Sequence, residues 1–129
     1  DQAKHIAAFL MNHPNMPADK IPYWDFNAPD IPNALRDASA AAIMASSLIE
    51  LSQFVEEPLK QDYLAFAESQ LRTLASPQYL AETGTNGCFI LKHGVGHLPG
   101  NSEVDVPLTY GDYYFVEALL RYRKLVLHR

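Results

Sequence analysis

The stretch 93–117 holds the residues of this chain whose types and spacing are best suited to chemistry. His93 and His97 are four residues apart, which on a helix would place both imidazoles on one face as a metal-binding pair. Gly94 and Gly96 lie between them, and glycine is a poor residue for a helix interior. Both histidines are therefore expected in a loop, where their spacing no longer fixes a metal geometry, and we assign no metal ligand.

Carboxylates are the second group to consider, because general acid–base catalysis commonly relies on a pair of them in distinct environments. The candidates are Asp25, Asp30, Asp37, Asp105 and Asp112. Asp37 and Asp112 each precede a helical pattern and are better explained as N-cap residues. Asp25 and Asp30 are expected to order their own loop through hydrogen bonds to the backbone. No pair stands out, and we assign no catalytic residue.

Arg36 and Trp24 are candidates for ligand binding near the first long loop. An arginine at the mouth of a buried helix can bind a carboxylate through its fork of N–H donors. The alternative for Arg36 is an internal ion pair with Asp25, Asp30 or Asp37. Trp24 lies in an apolar, aromatic patch, which predicts either a sugar-stacking platform or a hydrophobic plug at the rim of the domain.

Composition limits the function classes that remain. A chain of 129 residues that is 48% hydrophobic and 19% charged has room for one domain with one core. A net charge of −5 argues against nucleic acid as a partner, because phosphate binding needs a basic face. No apolar run approaches the roughly 20 residues that span a bilayer, so no membrane partner is expected. The single Cys88 has no internal disulfide partner.

Helical periodicity and breakers divide the chain into elements. The first helical pattern is already present at Asp1, which predicts a chain cut within or just before a helix; a processed N-terminus is the alternative. This helix should end before Pro14, because proline disfavours helix in the residue that precedes it. A long irregular segment should follow to Pro32. The second helix should run from an N-cap at Asp37 to about Phe54 and be buried on every side, since apolar and small residues occur all around it.

The second half of the chain is expected to be helical at both ends. A third helix, with one apolar stripe along its length, should begin near Pro58 and end before Ser76, where a further short helix could start. Residues 88–93 should be extended, and the last helix should begin at Asp112. The fold class is therefore all-α, with helical hairpins joined by long irregular loops. A buried helix flanked by amphipathic ones is typical of a partial toroid, in which inner helices are sheathed by outer ones.

Three ordered segments resemble the unsaturated glucuronyl hydrolases, glycoside hydrolase family 88. They are IPYWDFNAPD (21–30), RDASAAAIMAS (36–46), and the stretch from LKHGVGH (91–97) to YGDYYFVEAL (110–119). The resemblance implies an (α/α)6 barrel, of which residues 1–129 would be the C-terminal third of a single catalytic domain. It also implies removal of an unsaturated uronic acid from lyase-generated oligosaccharides, including glycosaminoglycan fragments, by hydration of the C4=C5 vinyl ether. Neither a metal nor an organic cofactor is implied.

The resemblance also implies which residues face the substrate. The family's catalytic aspartates belong to the N-terminal half, so no catalytic residue is carried over, and the isolated chain is expected to be inactive. What carries over is the loop that accommodates the second sugar and any sulfate on it, at Gly96, His97, Gly100, Asn101 and Ser102. Relatives differ at several of these positions, where some have an aromatic residue, a serine or a lysine. Sulfate preference therefore does not follow from the resemblance.

Two other interpretations compete with the hypothesis that the chain is part of an enzyme. One is a small helical module that binds a carbohydrate or a protein without catalysis, and the other is a purely structural helical domain. Cutting inner helices from their neighbours exposes apolar faces, so the chain is expected to be oligomeric or to associate with the rest of its barrel. The family suggests a bacterial periplasm or cytoplasm, and the sequence does not choose between them.

Overall fold

The computed structural model describes residues 1–128, and its framework is helical, as predicted. Four α-helices make up this framework: α1 (Gln2–Met11), α2 (Ala38–Leu51), α3 (Leu59–Leu74) and α4 (Thr109–Arg121). Single 3-10 turns occupy Ser52–Phe54, Asn86–Cys88 and Leu98–Gly100, and a π-helical turn, Tyr122–Val126, prolongs α4. Extended pairing within residues 1–128 consists of isolated bridges. Among these residues, no helix combines the length and the apolar character that crossing a membrane requires.

Helix α2 begins where the sequence predicts. Asp37 is extended, and its Oδ1 accepts a hydrogen bond from the Ser39 backbone N–H at 3.0 Å. Most α2 residues are buried, but Ser47 and Glu50 are exposed. The expectation of a helix buried on every side is therefore wrong for one narrow strip, which faces an open groove beside α1.

Helix α3 covers α2 and runs in the opposite direction. Near its end, the Gln70 side-chain amide donates to the Lys20 carbonyl at 3.0 Å, and the Thr73 hydroxyl donates to the Asp19 carbonyl at 2.9 Å. These bonds hold the end of α3 beside the segment that leads into the start of α2. The predicted apolar stripe of α3 is confirmed, since its buried residues include Tyr63, Ala67 and Leu71.

Helix α4 begins at Thr109, three residues before the predicted start. Asp112 lies inside the first turn, and its two carboxylate oxygens accept hydrogen bonds from the backbone N–H groups of Ile90 and Leu91, both at 2.8 Å. The prediction that Asp112 caps α4 is therefore wrong. Its side chain attaches the preceding segment to the helix instead of satisfying the helix's own backbone.

Two shorter predictions also need correction. Ser76 starts a reverse turn and no helix, because the N–H groups of Tyr79 and Leu80 both donate to the Ser76 carbonyl. Cys88 belongs to a 3-10 turn with a φ of 68°, so extended backbone begins only at Phe89. Leu91 then forms a bridge with Leu80.

Helices α2 and α4 run in the same direction, side by side. Gly111 lies against Ser39 near their starts, and Arg121 donates to the Ser46 carbonyl at 3.0 Å nearer their ends. The core lies between this pair and α3, which covers it on one side. The architecture is thus two parallel inner helices sheathed by an outer one, as in a segment of an (α/α)6 barrel.

Candidate functional site

Residues 94–106 form a short two-stranded turn structure, here called the late hairpin. Gly94 and Val106 exchange backbone hydrogen bonds at 2.8 and 2.9 Å. Nearer the tip, His97 and Ser102 do the same at 3.0 and 3.1 Å. These bonds convert the long loop that the sequence predicts into an ordered structure that projects from the helical body.

The tip of the late hairpin is a tight turn. Leu98–Gly100 form one 3-10 turn, and Asn101 follows in the left-handed conformation at φ 50° and ψ 40°, which asparagine tolerates better than most residues. All five loop residues expected to face a substrate lie in this outer half and are exposed: Gly96, His97, Gly100, Asn101 and Ser102. The structure therefore places all five in the exposed outer half of one hairpin.

Two of the glycines allow side chains to fold closely over the hairpin backbone. A Cβ built on Gly96 would lie 2.8 Å from the Cβ of Glu103, and a Cβ on Gly100 would overlap the ring of His97. Glu103 and His97 therefore lie directly over backbone that has no side chain of its own. Any larger residue at Gly96 or Gly100 would have to displace these polar groups.

The base of the late hairpin is attached to the start of α2. The Ala38 N–H donates to the His93 carbonyl at 3.0 Å, and the Val95 N–H donates to the Asp37 carboxylate at 3.3 Å. His93 Nδ1 lies 2.7 Å from Asp105 Oδ1, across the hairpin's two ends. The His93 ring is thus paired with a carboxylate from the other end of the hairpin.

Tyr110 is a residue near this site that the sequence reasoning did not single out as functional. Burial raises the pKa of its hydroxyl, and the nearby carboxylates of Asp37 and Glu103 raise it further, against a hydrogen bond with Ser39. The tyrosine hydroxyl therefore stays protonated and able to donate at neutral pH. One signal in the sequence could have identified Tyr110 as functional. It is an aromatic residue directly beyond the loop, one position after the start of α4.

Arg36 is bound inside the protein. Its Nη1 lies 2.8 Å from Asp19 Oδ1 and 2.6 Å from the Ile21 carbonyl, and the guanidinium stacks over the Tyr23 ring at 4.6 Å. The alternative hypothesis was an ion pair between Arg36 and Asp25, Asp30 or Asp37. An internal ion pair does form, but the partner is Asp19. That carboxylate lies in the irregular segment, whose path the sequence did not predict.

Trp24 is half-buried in a small apolar cluster of its own. The cluster is built on Tyr23, Ala28 and Ala34, and the backbone N–H of Trp24 donates to the Leu35 carbonyl at 2.9 Å. Asp25 orders this loop as predicted, because its carboxylate accepts from the Asn27 N–H at 2.7 Å. Trp24 and Arg36 thus belong to the loop that precedes α2, separate from the hairpin tip.

Three of the carboxylates around the late hairpin, those of Asp37, Asp105 and Asp112, are already bonded. Asp37 accepts from Ser39 and Val95, Asp105 pairs with His93, and Asp112 accepts two backbone N–H groups. Across residues 1–128, no three metal-ligating side chains are gathered as a metal site would require. The tip offers instead an imidazole, an amide and a hydroxyl, which suit hydrogen bonding to a polar ligand.

Fold and site together define the class of this protein: a segment of an α/α barrel with a polar hairpin across the starts of two inner helices. No protein-family model matches the chain. It is 50% identical over 126 residues to an unsaturated glucuronyl hydrolase of Formosa agariphila, covering 98% of this chain and 31% of that protein. It is 35% identical over 123 residues to an unsaturated chondroitin disaccharide hydrolase of Streptococcus pyogenes, covering 94% and 30%.

Solved structures agree with these relatives. The crystal structure of an unsaturated glucuronyl hydrolase specific for heparin is 57% identical, with a TM-score of 0.91 over 94% of this chain and 32% of that one. A Streptococcus agalactiae unsaturated glucuronyl hydrolase mutant complexed with dGlcA-GalNAc6S is 34% identical, with a TM-score of 0.76 over 84% and 29%. The chain is a relative of the unsaturated glucuronyl hydrolases, and it spans about a third of the length of the proteins it matches.

Proposed function

We propose that residues 1–129 are the C-terminal third of one (α/α)6 catalytic domain, and that this domain belongs to a glycoside hydrolase. The enzyme would release an unsaturated uronic acid from the non-reducing end of lyase-generated oligosaccharides of the glycosaminoglycan type. The observation that supports this most is the late hairpin, a polar surface on the starts of two inner helices, in a chain 57% identical to a solved unsaturated glucuronyl hydrolase.

The chemistry in this proposal is hydration of the sugar's C4=C5 vinyl ether. A proton adds to C4 and water oxygen adds to C5; the resulting hemiketal then opens and releases the neighbouring sugar. The carboxylates of Asp37, Asp105 and Asp112 near the hairpin are occupied in structural hydrogen bonds. We assign no carboxylate of this chain to this step. The acid–base groups would come from outside this chain, which alone would be inactive.

The proposed task of the late hairpin is to hold the sugar next to the unsaturated one. His97, Asn101 and Ser102 present donors and acceptors to solvent at the tip. Gly96 and Gly100 have no side chains of their own, so the Glu103 and His97 side chains fold closely over the backbone and present polar groups there. A sulfate on the second sugar would meet this same surface.

Trp24 and Arg36 complete the proposed substrate-binding residues. Trp24 would stack on a sugar with the part of its ring that stays exposed. Arg36 would attract a uronic acid carboxylate, in competition with Asp19, which already lies 2.8 Å away. We also propose that the isolated chain associates with copies of itself or with the rest of its barrel, because apolar residues of α1 and α4 remain exposed.

An ultraviolet assay tests the proposal, because the conjugated C4=C5 acid absorbs and its hydrated product does not. The 129-residue chain and a chimera that joins it to the N-terminal two thirds of the Formosa agariphila relative would each be given an unsaturated chondroitin or heparin disaccharide. We expect the absorbance to fall with the chimera and to stay constant with the isolated chain. A fall with the isolated chain would place the catalytic carboxylates within it and overturn our assignment of no catalytic residue.

Variants of the chimera test the hairpin's role. Asn101→Ala and His97→Ala should raise KM more than they lower kcat, because they remove ligand contacts and leave the chemistry in place. Gln61→Ala, at an exposed position on α3, is the control and should change neither. An inactive, folded chimera whose hairpin still binds the disaccharide would support the alternative of a binding module without catalysis.

A further inference from the structure

Glu103 carries an exposed carboxylate in the outer half of the late hairpin. Its backbone is held there by Gly96, whose N–H donates to the Glu103 carbonyl at 2.7 Å. The side chain folds back over Gly96, and a Cβ built on this glycine would overlap the carboxylate oxygen Oε2 of Glu103. The carboxylate therefore occupies space that is open only because residue 96 is a glycine. It lies directly beside two of the residues proposed to face the second sugar, Gly96 and Ser102.

The Glu103 carboxylate differs from its acidic neighbours because nothing in the protein engages it. The carboxylates of Asp37 and Asp112 accept backbone hydrogen bonds, and that of Asp105 pairs with the His93 ring. Within residues 1–128, neither an ion pair nor a side-chain hydrogen bond involves the Glu103 carboxylate. An exposed carboxylate without a partner is free to act on a ligand.

No permanent positive charge balances this carboxylate at the hairpin tip. No lysine or arginine occurs between Lys92 and Arg121. The Lys92 ammonium donates to the Pro77 carbonyl at 2.7 Å. Arg121 lies at the far end of α4, about 18 Å along the axis from the start of this helix. Of residues 96–103, His97 is the only one that can become cationic. The fixed charge that the tip presents to a ligand is therefore negative.

The negative field of Glu103 extends to the residue that follows the hairpin closely, Tyr110. Burial raises the pKa of the Tyr110 hydroxyl most, and the carboxylates of Asp37 and Glu103 raise it further. Two carboxylates thus act on one hydroxyl beside the proposed binding surface. An anionic group brought to this surface would meet repulsion, whereas a sugar hydroxyl can donate a hydrogen bond to the free carboxylate.

We propose that Glu103 is a specificity-determining residue, which makes the late hairpin select an unsulfated second sugar over a sulfated one. The carboxylate accepts a hydrogen bond from a hydroxyl of the neutral sugar and repels a sulfate group carried at the same place. A like charge is an effective source of specificity, because it weakens binding of the wrong ligand without having to strengthen binding of the right one. This inference rests on the proposed function and specifies which second sugar the hairpin accepts.

Kinetics of the chimera with three unsaturated chondroitin disaccharides test the inference. One disaccharide is unsulfated, and the others carry a sulfate on carbon 4 or on carbon 6 of the second sugar. At about pH 8, where an ordinary histidine is neutral, we expect kcat/KM to be highest for the unsulfated disaccharide. Glu103→Gln keeps the size of the side chain and removes its charge. It should raise the sulfated-to-unsulfated ratio of kcat/KM about threefold to fivefold, the effect of one exposed charge pair.

Two further variants control for folding and for charge elsewhere. Glu103→Asn removes the same charge with a residue that tolerates the φ of 54° at this position, and should raise the ratio likewise. Glu56 is exposed beyond the other end of α2, about 20 Å along this helix from the hairpin's attachment. Glu56→Gln should therefore leave the ratio unchanged.

The salt dependence separates repulsion from simple lack of space. Added salt screens exposed charges, so it should raise the ratio in the parent chimera and have little effect in either Glu103 variant. Exclusion of the sulfate by its size alone would not respond to salt. A ratio that changes neither with Glu103→Gln nor with salt would overturn the inference and leave the proposed function standing, as would a parent chimera that prefers a sulfated disaccharide.

A folded chimera that hydrates none of the three disaccharides would contradict the proposed function instead. Calorimetric titration of that chimera with the same disaccharides then tests Glu103 by itself. Tighter binding of the unsulfated disaccharide, with a preference that Glu103→Gln reduces, would still support the inference. Equal preference in parent and variant would overturn it, and absence of binding by all three disaccharides would overturn both proposals.

Discussion

At the scale of single residues, the late hairpin depends on a close approach at its base. The backbone of Gly94 exchanges two hydrogen bonds with Val106. A Cβ at Gly94 would lie 2.8 Å from the Val106 carbonyl oxygen and 2.7 Å from a Leu108 methyl carbon. Backbone cannot move aside as a side chain can, so this glycine is required by space and not by an unusual φ.

We predict that Gly94→Ala lowers the free energy of unfolding by about 1–3 kcal/mol, as overpacking of a tight site does. Chemical denaturation of the folded variant measures it. Gly100→Ala is the comparison, because the atoms nearest to its new methyl belong to the His97 ring, which can rotate away. Equal losses in the two variants would show that the backbone contact at Gly94 does not matter.

A second residue-scale feature is the hydrogen bond that the Tyr122 hydroxyl donates to Glu68 at 2.8 Å. This bond, followed by the contact with Arg72, lowers the pKa of the Glu68 carboxyl below its ordinary 4.5. The same bond raises the pKa of Tyr122. A lowered folded-state pKa means that the carboxylate's stabilisation is present above pH 4.5 and is lost as the pH falls through the lowered value.

We predict that Tyr122→Phe raises the pKa of Glu68 towards its ordinary value. The free energy of unfolding should then depend less on pH in the acid range. Carbon-detected NMR titration of the Glu68 carboxyl gives the pKa directly. Arg72 remains in the variant, so a partial return is expected. Tyr110→Phe, which removes a distant hydroxyl, should leave Glu68 unchanged; an equal shift there would contradict the assignment.

At the scale of elements, Asp37 joins a helix to the site. Its Oδ1 caps α2 through the Ser39 N–H and also accepts from the Val95 N–H of the hairpin. One carboxylate thus satisfies backbone donors of two elements that lie far apart in sequence. The start of α2 and the base of the hairpin are therefore expected to lose order together.

We predict that Asp37→Ala costs about 0.5–2 kcal/mol of stability, the usual loss for an N-cap, with a further loss from the Val95 N–H. Hydrogen exchange should accelerate at both the Ser39 and the Val95 amides. Asp37→Asn keeps a side-chain oxygen and should lose less. Faster exchange at Ser39 alone would show that the cap and the hairpin are not coupled through this residue.

At the scale of the whole molecule, the association proposed above would link folding to protein concentration, because apolar residues of α1 and α4 remain exposed. Any partner that binds only the folded state stabilises it by mass action, so stability depends on concentration. We predict that Tm of the isolated chain rises with protein concentration. Differential scanning calorimetry over a hundredfold range measures it. Ser47→Arg, which places a charge in the open groove beside α1, should show little dependence. A Tm independent of concentration in the parent chain would contradict association.

How far the sequence predicts the structure depends on the range of the interactions involved. The cap at Asp37, the stripe of α3 and the loop character of residues 93–108 follow from neighbouring residues, and these predictions were confirmed. The five exposed hairpin residues were also correctly placed in one loop. The sequence alone therefore determined the helical class, the position of the polar loop and the likeness to the unsaturated glucuronyl hydrolases.

Tertiary structure decided the features that rest on distant partners. Arg36 pairs with Asp19, 17 residues earlier, and Asp112 binds backbone 21 and 22 residues earlier, where local rules predicted other partners or a cap. The exposed strip on α2 was likewise missed, because composition reports how apolar a helix is and not which neighbours cover it. Periodicity and capping are encoded within a few residues, whereas side-chain partners depend on how the folded chain returns upon itself.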